Sequence, residues 1–112
     1  MAGSAGRQPS KRLWINTVTQ EALAAGKSPV EVMAGTIRRG VTQVRWRAWC
    51  RLMSANEGYS MKGIANVSGF DHTSIRFGVA RLAGLSRSES KRSGIDMKAV
   101  LSQARIRMGG SV

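Results

Sequence analysis

Apolar residues recur along this chain at three- and four-residue intervals, and no stretch shows the two-residue alternation of a half-buried strand. The pattern therefore predicts helices and no sheet. From Lys11 to Ala25, the residues Ile15, Val18, Ala22 and Ala25 share one helical face, and Gly26 is a natural C-terminal stop. Ser28-Pro29-Val30-Glu31 opens a second helix, with serine at the cap, proline at the first helical position and glutamate three residues after the cap. That helix carries Val30, Val32, Met33 and Ala34 and ends near Gly35, and Thr36 to Gly40 reads as a basic loop.

A third helix spans Thr42 to Ala55. Ala48, Trp49, Leu52 and Met53 make its broad apolar side, with Trp46 and Cys50 at one margin, while Gln43, Arg47 and Arg51 form an opposite polar stripe. Arg45 falls on the apolar side by angle and is expected at a fraying first turn or reaching out from it. Ser60 caps a short helix, Met61 to Val67, whose Met61, Ile64 and Ala65 face inward. After the turn Ser68-Gly69-Phe70, Asp71 caps a helix from His72 to about Leu82, with Ile75, Val79 and Leu82 inward and His72, Thr73, Arg76 and Phe77 outward. Two helices joined by so short a glycine-containing turn predict a helix-turn-helix.

The ends read differently. Residues 1–10 have the composition of a disordered leader, and residues 86–94, rich in serine, arginine and lysine, read as a polar linker. Residues 95–112 hold one more helix, Ile95 to Met108, capped by Asp96 with Val100, Leu101 and Ala104 on one face. The helical domain proper is expected over residues 11–85.

Charge changes the picture most. The 112 residues carry 18 Lys+Arg against 6 Asp+Glu, a formal net charge of +12. The excess runs through the segment Thr36 to Leu82, so it is not a property of the ends alone, and the commonest partner of such a domain is a polyanion. Arginine dominates, and its planar fork suits bidentate contacts to phosphate and guanine. The ordinary reading of the same residues is a solvated basic face.

Other chemistry finds little support. One cysteine and one histidine exclude an intrachain disulfide and a Cys/His zinc site. Phosphate-loop and dinucleotide fingerprints are absent, and His72 beside Asp71 has no accompanying nucleophile motif, so neither a catalytic site nor a cofactor is expected. Cys50 reads as a small core filler. No apolar run reaches the roughly 20 residues of a spanning helix, and Met1 to Arg7 lacks the apolar stretch of a secretory signal, so a cytoplasmic protein away from membranes is expected.

One assignment has a physical mechanism. A helix start placed in the major groove brings Asp71, His72, Thr73 and Ser74 to base edges, while Arg45, Arg47, Lys62 and Arg76 hold phosphates on either side. At these residues the chain resembles a known family. Phe70-Asp71-His72-Thr73-Ser74-Ile75, preceded by Ser60-Met61-Lys62-Gly63-Ile64-Ala65, is similar to the C-terminal DNA-binding domain of the bacterial replication initiator DnaA. The similarity covers Ile15 to Leu82. It implies an all-α, Trp-repressor-like helix-turn-helix domain in which Asp71, His72, Thr73 and Ser74 read bases. By the same resemblance Arg38 or Arg39 reaches toward the minor groove, and Arg45 or Arg47 matches a DNA-contacting arginine at the start of the long helix. The turn before Asp71 is one residue shorter than the family's, with Phe70 where an arginine is usual, and Trp46 and Trp49 stand where smaller residues are usual. The initiator's ATPase module is absent.

The expectation is a sequence-specific binder of double-stranded DNA, a small bacterial or phage regulator of transcription or replication. The rival is an interaction or structural protein that holds nucleic acid non-specifically and a protein partner through exposed tryptophan and methionine.

Overall fold

A computed structural model describes residues 7–38, 40–54, 58–92 and 94–108. Among them are seven helices: α1 Lys11–Ala24, α2 Pro29–Ala34, α3 Val41–Met53, α4 Met61–Ser68, α5 His72–Leu82, α6 Arg87–Ser90 and α7 Met97–Arg107. The only β pairing among the described residues is an isolated bridge between Arg7 and Tyr59.

The helix starts follow from short polar side chains that satisfy otherwise unpaired backbone donors. Ser10, Ser28, Ser60, Asp71, Ser86 and Asp96 each accept from a backbone N–H in the first turn they open. The exception is α3, which opens at Gly40 with φ of 86° and no side-chain bond. Glu31 does not complete the reciprocal box expected at Ser28. Its carboxylate lies 3.7 Å from Arg38 instead, and the reciprocal box is found at Ser86 and Glu89.

The core is built around α3 and α5. Val44, Ala48, Trp49, Cys50 and Leu52 of α3 meet Ile75, Val79 and Ala80 of α5, with Trp14, Val18 and Ala22 of α1 and Ile64 and Val67 of α4 closing the sides. The two isoleucines are fully enclosed, and burying each contributes about 1.5–3 kcal/mol. At the α3–α5 crossing Gly78 presents bare backbone to the Trp46 ring, which occupies the space a Cβ would fill.

Three expectations are corrected. The buried face of α1 is Trp14, Thr17, Val18 and Ala22, with Ile15 exposed. The hydroxyl of Thr17 donates to the Leu13 carbonyl at 2.7 Å, which lets a polar residue face inward. Residues 7–10 are packed against α4: the Arg7 carbonyl accepts from Ser60 N–H, Gln8 accepts from Asn66, and Pro9 is buried. Gly63 makes this approach possible, since a Cβ there would overlap the Arg7 backbone. Residues 1–6 lie outside the described residues. Finally, the segment read as a linker contains α6, whose Ser90 is buried. Beyond it α7 docks on α5 and α3, and Val100 and Ala104 join the common core.

Candidate nucleic-acid interface

α4 ends at Gly69, whose φ of 81° is the left-handed conformation glycine adopts without penalty. Phe70 and Asp71 follow, and α5 begins. Phe70 packs edge-on against Trp49 with ring centroids 5.3 Å apart, so the connection is pinned to the core. Asp71 is extended, and its Oδ1 accepts from Ser74 N–H at 2.8 Å. That backbone hydrogen bond, first among several causes, holds the Asp71 carboxyl below the usual carboxylate range.

His72, Thr73 and Ser74 are exposed on the first turn of α5. The His72 and Thr73 side chains make no hydrogen bond among the described residues. The structure brings Lys62 to this end, since it lines a hollow shared with Asn66, Asp71 and His72. Arg76, one turn further along α5, is half-buried, and its Nε lacks a partner. Arg38 is exposed in the loop after α2 and loosely paired with Glu31. Arg39 lies outside the described residues.

Arg45 is a correction. It is buried, with Nε donating to the Val32 carbonyl at 2.7 Å and Nη2 to the Thr36 carbonyl at 3.0 Å. A longer bond reaches the Glu31 carbonyl, and the guanidinium lies 4.9 Å from the centre of the Phe70 ring. Burial lowers its pKa, as desolvation does for any cation. These contacts hold the last turn of α2 and its following loop, where exposed carbonyls favour a positive charge. With Nε and Nη2 spent on backbone carbonyls, Arg45 serves first as a strut, although its side chain also lines the groove beside α5.

Arg47 is brought to a different place. Its Nε meets Glu21 Oε1 at 3.1 Å while Arg51 takes Oε2 at 3.2 Å, so one carboxylate of α1 ties down two cations of α3. Arg47 lines a hollow with Gln43, Arg81 and Arg107, away from Asp71 and His72.

A groove of about 760 Å³ runs beside α5, between the start of α3 and α6. Trp46, Trp49, Phe70 and Phe77 line it, as do Asp71, Thr73 and Ser74 at one end and Arg87 and Lys91 at the other. Trp49, Arg76 and Ser90 all line this groove, and each carries a buried polar atom without a hydrogen-bond partner. Arg81, Arg87 and Lys91 were not among the expected site residues. The signal that would have exposed α6 was the Ser86-x-x-Glu89 spacing of a capping box.

The rival's surface premise is also corrected. Trp14 and Trp49 are buried, Trp46 packs edge-on against Phe77, and the exposed large apolar residues among the described ones are Ile15, Leu23, Val30, Ile37 and Ile106. No helix among the described residues is long and apolar enough to cross a membrane. Comparison with known proteins finds no matching family model, no matching curated protein and no matching solved structure.

Proposed function

We propose that this chain binds double-stranded DNA with sequence specificity, using α4 and α5 as a helix-turn-helix and acting as a small regulator of transcription or replication. The observation that carries the reading is the first turn of α5. There three successive polar side chains are exposed beyond a fixed cap, next to Lys62 and Arg76, on a chain of net charge +12. A helix start of this kind reads base edges when it enters the major groove. Its Asp-His-Thr-Ser sequence is the element that resembles the DnaA DNA-binding domain. In this reading Asp71 orients the turn by capping it, His72 and Thr73 meet bases, Ser74 adds a hydroxyl, and Lys62 and Arg76 hold the flanking phosphates.

The test begins with selection of bound duplexes from a random library at near-physiological salt. Thr73→Ala and His72→Ala are then compared on the selected box and on scrambled duplex, with melting temperature as the control. Each variant should reduce discrimination by about 1–3 kcal/mol, leave random-DNA binding nearly intact, and stay folded. Folded variants that keep full preference for the selected box would show that this helix is not the reader.

A further inference from the structure

The sequence offers α6 as a linker, yet it is a folded element whose two cations face the same groove as the start of α5. Arg87 opens α6 and Lys91, four residues on, is its C-cap, so the two lie on one side of the same turn. Both are exposed, both line the groove, and neither has an ion pair among the described residues. The acid of the same turn is kept away from them: Glu89 does not line the groove, and its carboxylate accepts from Ser86 N–H at 2.9 Å. Between α6 and the tip of α5 stand Arg76 and Arg81. Arg81 donates one bond to the Leu85 carbonyl, and the Arg76 Nε has no partner among the described residues. Among the described residues the one acid that lines the groove, Asp71, is occupied as a helix cap.

A run of cations continuous with the exposed first turn of α5 matches the repeating negative charge of a nucleic-acid backbone. We propose that the groove between α3, α5 and α6 seats one sugar–phosphate strand of the duplex whose bases meet α5, with Arg87 and Lys91 as phosphate contacts. The inference rests on the DNA-binding reading and extends its footprint to an element outside the helix pair. The lining cations supply the attraction. Contacts of this type fix register and orientation and carry no sequence information.

The experiment measures the salt dependence of duplex binding for three proteins by fluorescence anisotropy. They are the wild type, Arg87→Ala/Lys91→Ala, and the charge-matched control Arg12→Ala/Lys98→Ala, whose exposed cations do not line the groove. Each phosphate contact contributes about 0.9 to the slope of log K against log salt, so the α6 double variant should flatten it by about 1.8. The loss should be equal on selected and scrambled duplex, and the control should keep the wild-type slope. Arg87→Gln/Lys91→Gln repeats the test with side-chain bulk and polarity retained. Equal flattening by the α6 variant and the control would overturn the seat, since bulk charge would then explain both. A wild-type slope near −4 that neither double variant changes would overturn the seat and leave the DNA reading standing. A wild-type protein that binds no duplex at low salt removes both together.

Discussion

Replacing Arg45 with methionine keeps an unbranched apolar stem of similar reach and removes the guanidinium from the carbonyls of Val32 and Thr36. Those two acceptors, at 2.7 and 3.0 Å, then lose their side-chain donor. An unsatisfied buried acceptor costs about 1–3 kcal/mol, and the partly exposed Thr36 carbonyl costs less than that, so the pair sets a loss of roughly 1–4 kcal/mol. Losing the cation over the Phe70 ring adds up to about 2 kcal/mol, and removing the penalty for burying the charge offsets part of the total. The expected net loss is about 3–4 kcal/mol. A domain of this size has about 5–15 kcal/mol to lose. Urea denaturation followed by circular dichroism at 222 nm measures the change, and the melting temperature should fall by about 10–20 °C. At temperatures where the variant is folded, its salt slope on duplex DNA should equal that of the wild type, because Nε and Nη2 of Arg45 are already spent on backbone carbonyls even though the side chain lines the groove. A variant within about 0.5 kcal/mol of the wild type would refute the strut. A folded variant with a flatter salt slope would return Arg45 to the DNA surface.

Other expectations follow from single contacts. The Asp71 and Glu89 carboxyls are both held below their usual range by backbone N–H groups at helix starts. A depressed folded-state pKa stabilises above the unfolded value and stops doing so as pH falls through the folded one. The urea midpoint should therefore hold above about pH 5 and drop below about pH 4. Asp71→Asn, which can still cap, should shallow that drop. Cys50 is buried, and its burial pushes the thiol pKa up. A thiol-reactive disulfide should fail to modify the native chain within minutes and modify it rapidly in denaturant. Gly78→Ala places a methyl where the Trp46 ring lies. It should destabilise by about 1–3 kcal/mol and alter the near-ultraviolet dichroism of tryptophan, and an unchanged spectrum would contradict the close crossing.

Where a helix start was marked by a specific side chain, the sequence was readable to the residue. Ser28 before proline, Ser60 before Met61 and Asp71 before His72 open helices at the expected positions, because a cap is a local interaction. Facing was harder. Ile15 is more apolar than Thr17, yet the chain buries the threonine, since its hydroxyl finds a carbonyl within its own helix. α6 escaped notice because it holds no large apolar residue. Its stability comes from its capping box and from its packing against α5. Arg45 is the most instructive miss at the site. Its angle placed it correctly on the apolar side, and only the carbonyls of α2 and the loop after it explain why a cation can stay there. The exposed turn after Asp71 was legible because nothing else in the fold uses it, whereas the groove joins residues from three separate elements.

The Trp46 ring seated on bare backbone at Gly78 acts as a mechanical stop. A ring lodged in the notch of a facing helix resists both sliding and rolling, since either motion drives indole atoms into the flanking side chains of α5. The tip of α5 is thus carried by a stiff mount, with Phe70 bracing it from the other end against Trp49. If α5 reads DNA as proposed, a duplex that meets such a tip has to supply the compliance itself. Flexible pyrimidine–purine steps next to the contacted bases would then be favoured over stiff A-tracts, at positions this chain never touches.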